Sequence, residues 1–294
     1  MSKVTELFGL STSSKEDWQT IVRKTWCPFL DRVCLKGRKS NPEVLIGTCT
    51  VLHGKERRPI VICPHRLLER RQIFTDCIHL LTLHQPGNEF HIVPEVPIPG
   101  GSVDYFLASV HKGKVKDFLG IELQTVDTTG TVWPERQRFL HEVGLPTAKE
   151  DVESRKAFGM NWKMTAKTIL IQLHHKVETF ESINKHLVLI VQNDLIENMR
   201  ESFNFAHIAD ARVGDSMHIH GYNLTRTKEN TWRIELATRL STDAAGVSQL
   251  LGLQANAKVE LSTIISLLED KISDATLFNF THPISDVTPT TPPS

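Results

Sequence analysis

Asp104, Glu122 and Gln124 are the residues whose types and spacing could do chemistry. They lie in the stretch Gly100–Thr128, which reads as a β-hairpin. Ser102–Val110 and Val115–Val126 are rich in β-branched and aromatic residues, and His111-Lys112-Gly113-Lys114 between them is a turn signal. Pairing Val110 with Val115 sets Asp104 opposite Ile121. One bulge or register slip sets it opposite Glu122. Side chains alternate along a strand, so Glu122 and Gln124 share one face while Leu123 points the other way. Two carboxylates and an amide at the end of a sheet suit Mg²⁺, which takes hard oxygen ligands and keeps waters, one of which can attack phosphorus. The plainer reading is that acids on strands are solvated edge residues, and the D…E-x-Q pattern alone does not exclude it.

The surrounding elements must position these residues. Ser13 and Glu16 form a capping box for a helix over Glu16–Lys24. Short strands follow to about Arg66, and Leu67–Leu81 carries helical spacing. His84–Asn88 is a turn-rich junction, and Glu95–Gly101, with Pro97 and Pro99, delivers the chain to the hairpin. Glu95 is therefore read as a loop residue, with an accessory acid as the alternative. Beyond the hairpin, Glu135–Glu142 and Lys149–Phe158 read as helices. In Asn161–Ile183 the apolar residues Trp162, Ala166, Ile169, Leu173, Val177 and Phe180 recur at helical spacing as one stripe. The apolar run His186–Val191 suits a strand at a sheet centre. A short helix over Asp194–Phe203, strands over Ser216–Thr225 and Thr231–Ala237, and an amphipathic helix over Leu261–Ile272 complete an α/β pattern. The 161–183 stripe and the 261–272 helix are the candidate dimer faces. Residues 281–294 end in TPTTPPS and have the composition of a disordered tail.

Four of the five cysteines are spaced Cys27-x6-Cys34-x14-Cys49-x13-Cys63, and Cys27 and Cys63 are each followed by proline. Four thiolates can bind Zn²⁺ or iron tetrahedrally and hold a region that lacks a large core. No CxxC pair is present, so a metal site and four buried core thiols both remain open. Cys77 is read as a small core residue. His174-His175 and His218-x-His220 read as surface or hydrogen-bonded residues, although the second spacing could chelate a metal. The 34 basic and 34 acidic residues cancel, so global charge names no partner. Twelve Lys and Arg against four acids between Ile21 and Phe74 leave a local +8, which could seat phosphates. No apolar run is long enough to span a bilayer and no signal peptide is visible, so the chain is expected to be soluble and cytoplasmic.

WCPFL at Trp26–Leu30, GTCTV at Gly47–Val51, VICPHR at Val61–Arg66 and GIELQTVD at Gly120–Asp127 stand in order. Together with the Trp162–Phe180 helix they resemble the NotI family of restriction endonucleases. The resemblance implies a bacterial, Mg²⁺-dependent homodimer that cuts double-stranded DNA at a GC-rich palindrome. It implies a PD-(D/E)XK nuclease core over residues 81–280, preceded over residues 1–80 by a DNA-contacting region with a Cys₄ iron site, zinc being the alternative. Cys27, Cys34, Cys49 and Cys63 match its metal ligands. Asp104, Glu122 and Gln124 match its catalytic residues, with the Leu123 carbonyl as a further Mg²⁺ ligand. Two departures stand out: Val103 replaces the proline before the acid, and Gln124 replaces the usual lysine. Gln124 carries no charge, so it can orient a water but cannot lower its pKa as a cation would. Guanine readout favours arginine or lysine, making Arg57, Arg58, Arg66, Arg70 and Arg71 the candidates. The rival expectations are a repair nuclease on the same core, a catalytically inactive DNA-binding protein, and a metal-stabilised interaction protein.

Overall fold

A computed structural model describes residues 2–38, 40–99, 101–252 and 265–266. The described residues up to 252 belong to one compact unit. The 281–294 tail, and all of the 261–272 helix except residues 265–266, lie outside the described residues.

The first quarter of the chain is built from short strands. They are β1 (Val4–Leu7), β2 (Leu10–Ser11), β3 (Trp26–Cys27), β4 (Arg32–Val33), β5 (Gly37–Arg38), β6 (Asn41–Leu45), β7 (Thr48–His53) and β8 (Arg58–Val61), with helix α1 (Trp18–Lys24) after β2. Four of them make a sheet in the order β2-β1-β7-β8, while β3-β4 and β5-β6 are separate hairpins. The cap of α1 is Asp17, whose carboxylate accepts from the Thr20 amide, rather than Ser13.

The segment expected to be one helix over 67–81 is broken into a 3₁₀ stretch (Pro64–Arg71), α2 (Gln72–Cys77) and a 3₁₀ turn (Ile78–Leu80). Glu69 is extended, and Arg70 and Arg71 are left-handed at φ 53° and 55°, which ends helical hydrogen bonding there.

The larger sheet contains β9 (Glu89–Ile98), β10 (Gly101–His111), β11 (Lys114–Gln124), β14 (His186–Gln192), β15 (Ala209–Asp210), β16 (Met217–Arg226) and β17 (Trp232–Thr242). Its order is β15-β17-β16-β14-β11-β10-β9. The β11-β14 and β14-β16 pairs are parallel and the rest antiparallel, so the sheet is mixed. Strand β9 replaces the expected Pro-rich linker. Its prolines are tolerated because β9 is an edge strand, where a missing N–H breaks no ladder on the open side.

The crossover from β11 to β14 carries β12 (Thr128–Gly130), α3 (Trp133–Glu142), α4 (Lys149–Glu153), β13 (Phe158–Met160) and α5 (Trp162–Ser182). Helix α6 (Asn193–Ser202) links β14 to β16, and α7 (Ala244–Leu250) follows β17. The helix expected over 149–158 stops at Glu153, because Phe158 enters the β12-β13 ladder.

Residues Leu187–Val191 of β14 are all fully buried, as a central parallel strand requires. Even-numbered positions of β10 and β11 face α5, where the Phe106 ring stacks on Phe180 with centroids 5.9 Å apart. Odd-numbered positions (Leu107, Leu119, Ile121, Leu123) join Leu67, Leu68, Ile73 and Phe74 in a second core on the other face. The α5 stripe of Ala166, Ile169, Leu173, Val177 and Phe180 is buried within this chain, so that face is spent on the protein's own core and is not free for a dimer contact.

Candidate active site and cysteine centre

The hairpin turn is made by Lys112 and Gly113, both at positive φ, which matches the twist of a tight two-residue connection. Val110 pairs with Val115 and Ser109 with Asp117, so the register shifts by one residue at that point. Tyr105 then pairs with Ile121, and the next position on each strand sets Asp104 opposite Glu122. Glu122 lies on the α5 face, where Lys176 meets it. The Leu123 amide donates to Asp104 Oδ2 at 2.8 Å, which ties the acid of β10 to the strand carrying the second acid. Gln124 shares the face of Glu122, and its side-chain amide donates to the Thr125 carbonyl at 2.7 Å.

Glu95 is on a strand, not in a loop. Val103 pairs with Val96 and Tyr105 with Pro94, so Glu95 lies opposite Asp104. It is exposed and left-handed at φ 52°. Three neighbouring strands thus carry Glu95, Asp104 and Glu122 at one level of the sheet.

Sequence reasoning missed Lys176. Its ammonium donates to Glu122 Oε1 at 2.7 Å and to the Ser102 carbonyl at 2.5 Å. The side chains of this ion pair are only 10% and 12% exposed. The signal was a lysine on the buried face of a helix, between Leu173 and Phe180. Burial pushes Glu122 up to about 7, against Lys176, which lowers it, while the nearby charge of Asp104 raises it further.

The four cysteines lie near enough to feel one another's charge, although no three of them bring their sulfurs within 4.8 Å of one another. All are free and buried. Cys27 ends β3, Cys34 follows β4, Cys49 lies on β7 and Cys63 follows β8. Cys27 feels the charges of Cys63 and Cys34, and the Cys49 and Cys63 thiols hydrogen-bond each other. The two Cys-Pro turns are alike. The Leu30 amide donates to the Cys27 carbonyl at 3.3 Å and the Arg66 amide to the Cys63 carbonyl at 3.0 Å; burial raises the Cys27 thiol, against the Leu30 and Phe29 amides, which lower it. The Cys63 thiol is lowered to about 6, first by the Cys49 hydrogen bond and, against burial, by the Lys36 ammonium. The Cys49 thiol is pushed well up, first by Cys63 and then by burial, and it donates to the Gly47 carbonyl at 3.4 Å. Cys77 is apart from this group, fully buried in the second core, with burial raising its thiol.

Of the arginines, Arg66 is withdrawn from any role at a base edge. It is fully buried. Its Nε lies 2.8 Å from Glu6, Nη1 lies 3.0 Å from Glu69, and Nη2 donates to the Trp232 carbonyl at 2.9 Å. Its guanidinium also packs 4.9 Å from the Phe29 ring, joining the two Cys-Pro turns. Arg57, Arg70 and Arg71 are exposed, and Arg58 is exposed with Glu56, Asp194 and Glu197 around it.

His218 and His220 are buried in β16. His218 Nε2 meets the Asp215 carbonyl at 3.0 Å, and His220 Nδ1 lies 3.7 Å from Cys77 Sγ. His174, His175 and Glu178 bring ligand atoms together on α5, apart from the acids.

A mixed α/β sheet thus carries two acids, an amide and a buried ammonium on neighbouring elements. The family described as restriction endonuclease NotI matches residues 22–219, which covers all four clustered cysteines, Asp104, Glu122, Gln124 and Lys176. The chain belongs to the NotI family of type II restriction endonucleases and is a site-specific, DNA-binding nuclease. No curated protein and no solved structure matches it. Among the described residues, no helix is long and apolar enough to cross a membrane.

Proposed function

We propose that this enzyme is a Mg²⁺-dependent homodimer that makes double-strand cuts at a GC-rich palindromic site, using Asp104, Glu122 and Gln124. In this reading the sheet around β10, β11 and β14 is a PD-(D/E)XK core, residues 1–80 form a Cys₄, DNA-contacting region, and cytoplasmic DNA is the substrate. The observation that carries it is the one-residue register shift in the hairpin, which aligns Asp104 with Glu122 on one face within a chain of this family.

Asp104, Glu122 and the Leu123 carbonyl are hard oxygen donors of the kind Mg²⁺ takes, and so would hold it. When bound, Mg²⁺ supplies Lewis-acid activation of water and neutralises charge that builds on the phosphate. The protein's own residues do the rest. Asp104 and Glu122 present their charge on one face, and Leu123 N–H holds Asp104 in place. Gln124 orients the attacking water through its amide. Water adds to phosphorus, the bond to the 3′ oxygen breaks, and a 3′-hydroxyl and a 5′-phosphate result.

Cys27, Cys34, Cys49 and Cys63 would hold a structural iron, or zinc in its place, that shapes the basic segment which faces DNA. The lowered Cys63 thiol and the Lys36 ammonium near it support that donor set. Two-fold pairing of chains would match the two-fold symmetry of a palindrome. Arg57, Arg58, Arg70 and Arg71 remain the candidates for phosphate or guanine contacts.

The test is cleavage of plasmid DNA with and without Mg²⁺ by the wild type, D104A and E122A, with fragment ends sequenced. Mg²⁺-dependent fragments ending at one palindrome, lost in both variants while DNA binding persists, are expected. Degradation that proceeds from DNA ends would instead favour a repair nuclease. Binding without cutting would favour an inactive DNA-binding protein.

A further inference from the structure

Lys176 is the one charged residue in the buried stripe of α5, among Thr165, Ala166, Ile169, Leu170, Leu173, Val177 and Phe180. Stability alone does not explain it. Removing two charges from water is costly, and a buried ion pair replaced by apolar side chains of similar volume is often neutral or stabilising.

Its contacts are specific. The ammonium bonds Glu122 on β11 and the Ser102 carbonyl on β10, two residues before Asp104. It therefore ties together the two strands that carry the acids and anchors both to α5. Gly101 makes room for it: a Cβ there would sit 3.2 Å from Lys176 Cε, and the backbone at φ 129° suits glycine. Meanwhile the Glu122-Leu123-Gln124 segment supplies no cation of its own.

We propose that Lys176 is a positioning residue of the cleavage site, holding the Glu122 carboxylate in place and supplying from α5 the positive charge that Gln124 lacks. This rests on the reading of Asp104 and Glu122 as the cleavage acids. An ammonium has three N–H donors, and the bonds to Glu122 and the Ser102 carbonyl use two of them. A fixed charge beside the acids, in a site shielded from water, stabilises negative charge developing on phosphate far more than the same charge in solvent would.

The experiment compares wild type, K176M, K176Q, K176R and the double variant K176M/Q124K. It measures thermal melting, binding of site-containing DNA without metal, and single-turnover cleavage at saturating Mg²⁺. K176M and K176Q are both charge-free, so a folding defect in one leaves the other to carry the test. The expected result is normal binding with cleavage lowered about 10²- to 10³-fold in the charge-free variants. K176R should retain cleavage within about tenfold, and Q124K should recover about tenfold or more of the K176M loss, because the charge is returned from the neighbouring strand.

A merely structural lysine would not be replaced by a charge at position 124. Wild-type cleavage by K176M and K176Q, or a loss that neither K176R nor Q124K repairs in folded protein, overturns the proposal. D104A run in parallel separates the two levels. If D104A also cuts at the wild-type rate, the acid assignment itself falls. If D104A is inactive and K176M is not impaired, only the role of Lys176 falls.

Discussion

Lowering the pH from 8 to 6 should weaken Mg²⁺ activation through one group, Glu122. Burial raises its carboxyl to about 7, with Lys176 opposing that rise and Asp104 adding to it. A cation entering at Glu122 must displace the proton whenever the carboxyl is protonated. Below about 7 the Mg²⁺ concentration for half-maximal cleavage should therefore rise about tenfold per pH unit, and above about 8 it should level off.

The same shift has a consequence for metal-free stability. The folded value lies above the ordinary glutamate value of 4.5, so the protonated carboxyl contributes stability that is fully present below 4.5 and is lost as the pH rises through about 7. The full shift corresponds to about 3 kcal/mol, and the side chain is only 12% exposed, so solvent screening removes little of it. The assay is a Mg²⁺ titration of single-turnover cleavage at pH 6, 7, 8 and 9, with urea unfolding of metal-free wild type and E122Q at pH 5 and pH 8. Wild type should lose more stability across that interval than E122Q. A half-saturating Mg²⁺ concentration that is flat between pH 6 and 8, or identical stability slopes in the two proteins, would refute the reasoning.

Other perturbations separate structural from catalytic roles. Arg66→Ala leaves the fully buried Glu6 carboxylate without its cation, and chemical unfolding should show a loss of about 3–5 kcal/mol. Gly120→Ala places a Cβ 2.5 Å from Phe180 Cζ and 2.9 Å from Leu187 Cδ1, so about 1–3 kcal/mol of stability should go, and cleavage should fall as α5 and Lys176 are pushed from β11. Cys49→Ser should reduce bound metal, measured by elemental analysis, from about one per chain to none, with a lower melting temperature. Unchanged stability and no metal in the wild type would make the four cysteines core thiols. Visible absorption in the wild type would distinguish iron from zinc.

The hairpin was legible because its signals are local: alternation on each strand, a turn with glycine, and a bulge already required to align the acids. The central strand β14 was legible from its unbroken apolar run. The β9 strand was not, because Pro97 and Pro99 read as a linker, and only its place at the sheet edge makes Pro94 and Pro97 compatible with pairing. Glu95 went with it. Arg66 read as a DNA contact because a single arginine does not announce a partner 60 residues away, and β1, which supplies Glu6, precedes the family match. The helix expected over 67–81 failed at Arg70 and Arg71, whose left-handed backbone has no periodic signature. Lys176 was the legible signal left unread: a lysine where helical spacing demands an apolar side chain.

The most direct test of the account is the rate of Mg²⁺-dependent plasmid cleavage by D104A beside the wild type, at equal binding of DNA in the absence of metal. The account predicts discrete fragments with the wild type, ending at one palindrome, and no cutting by D104A. D104A fragments that appear at the wild-type rate would contradict it, because Asp104 would then be an ordinary edge acid on β10.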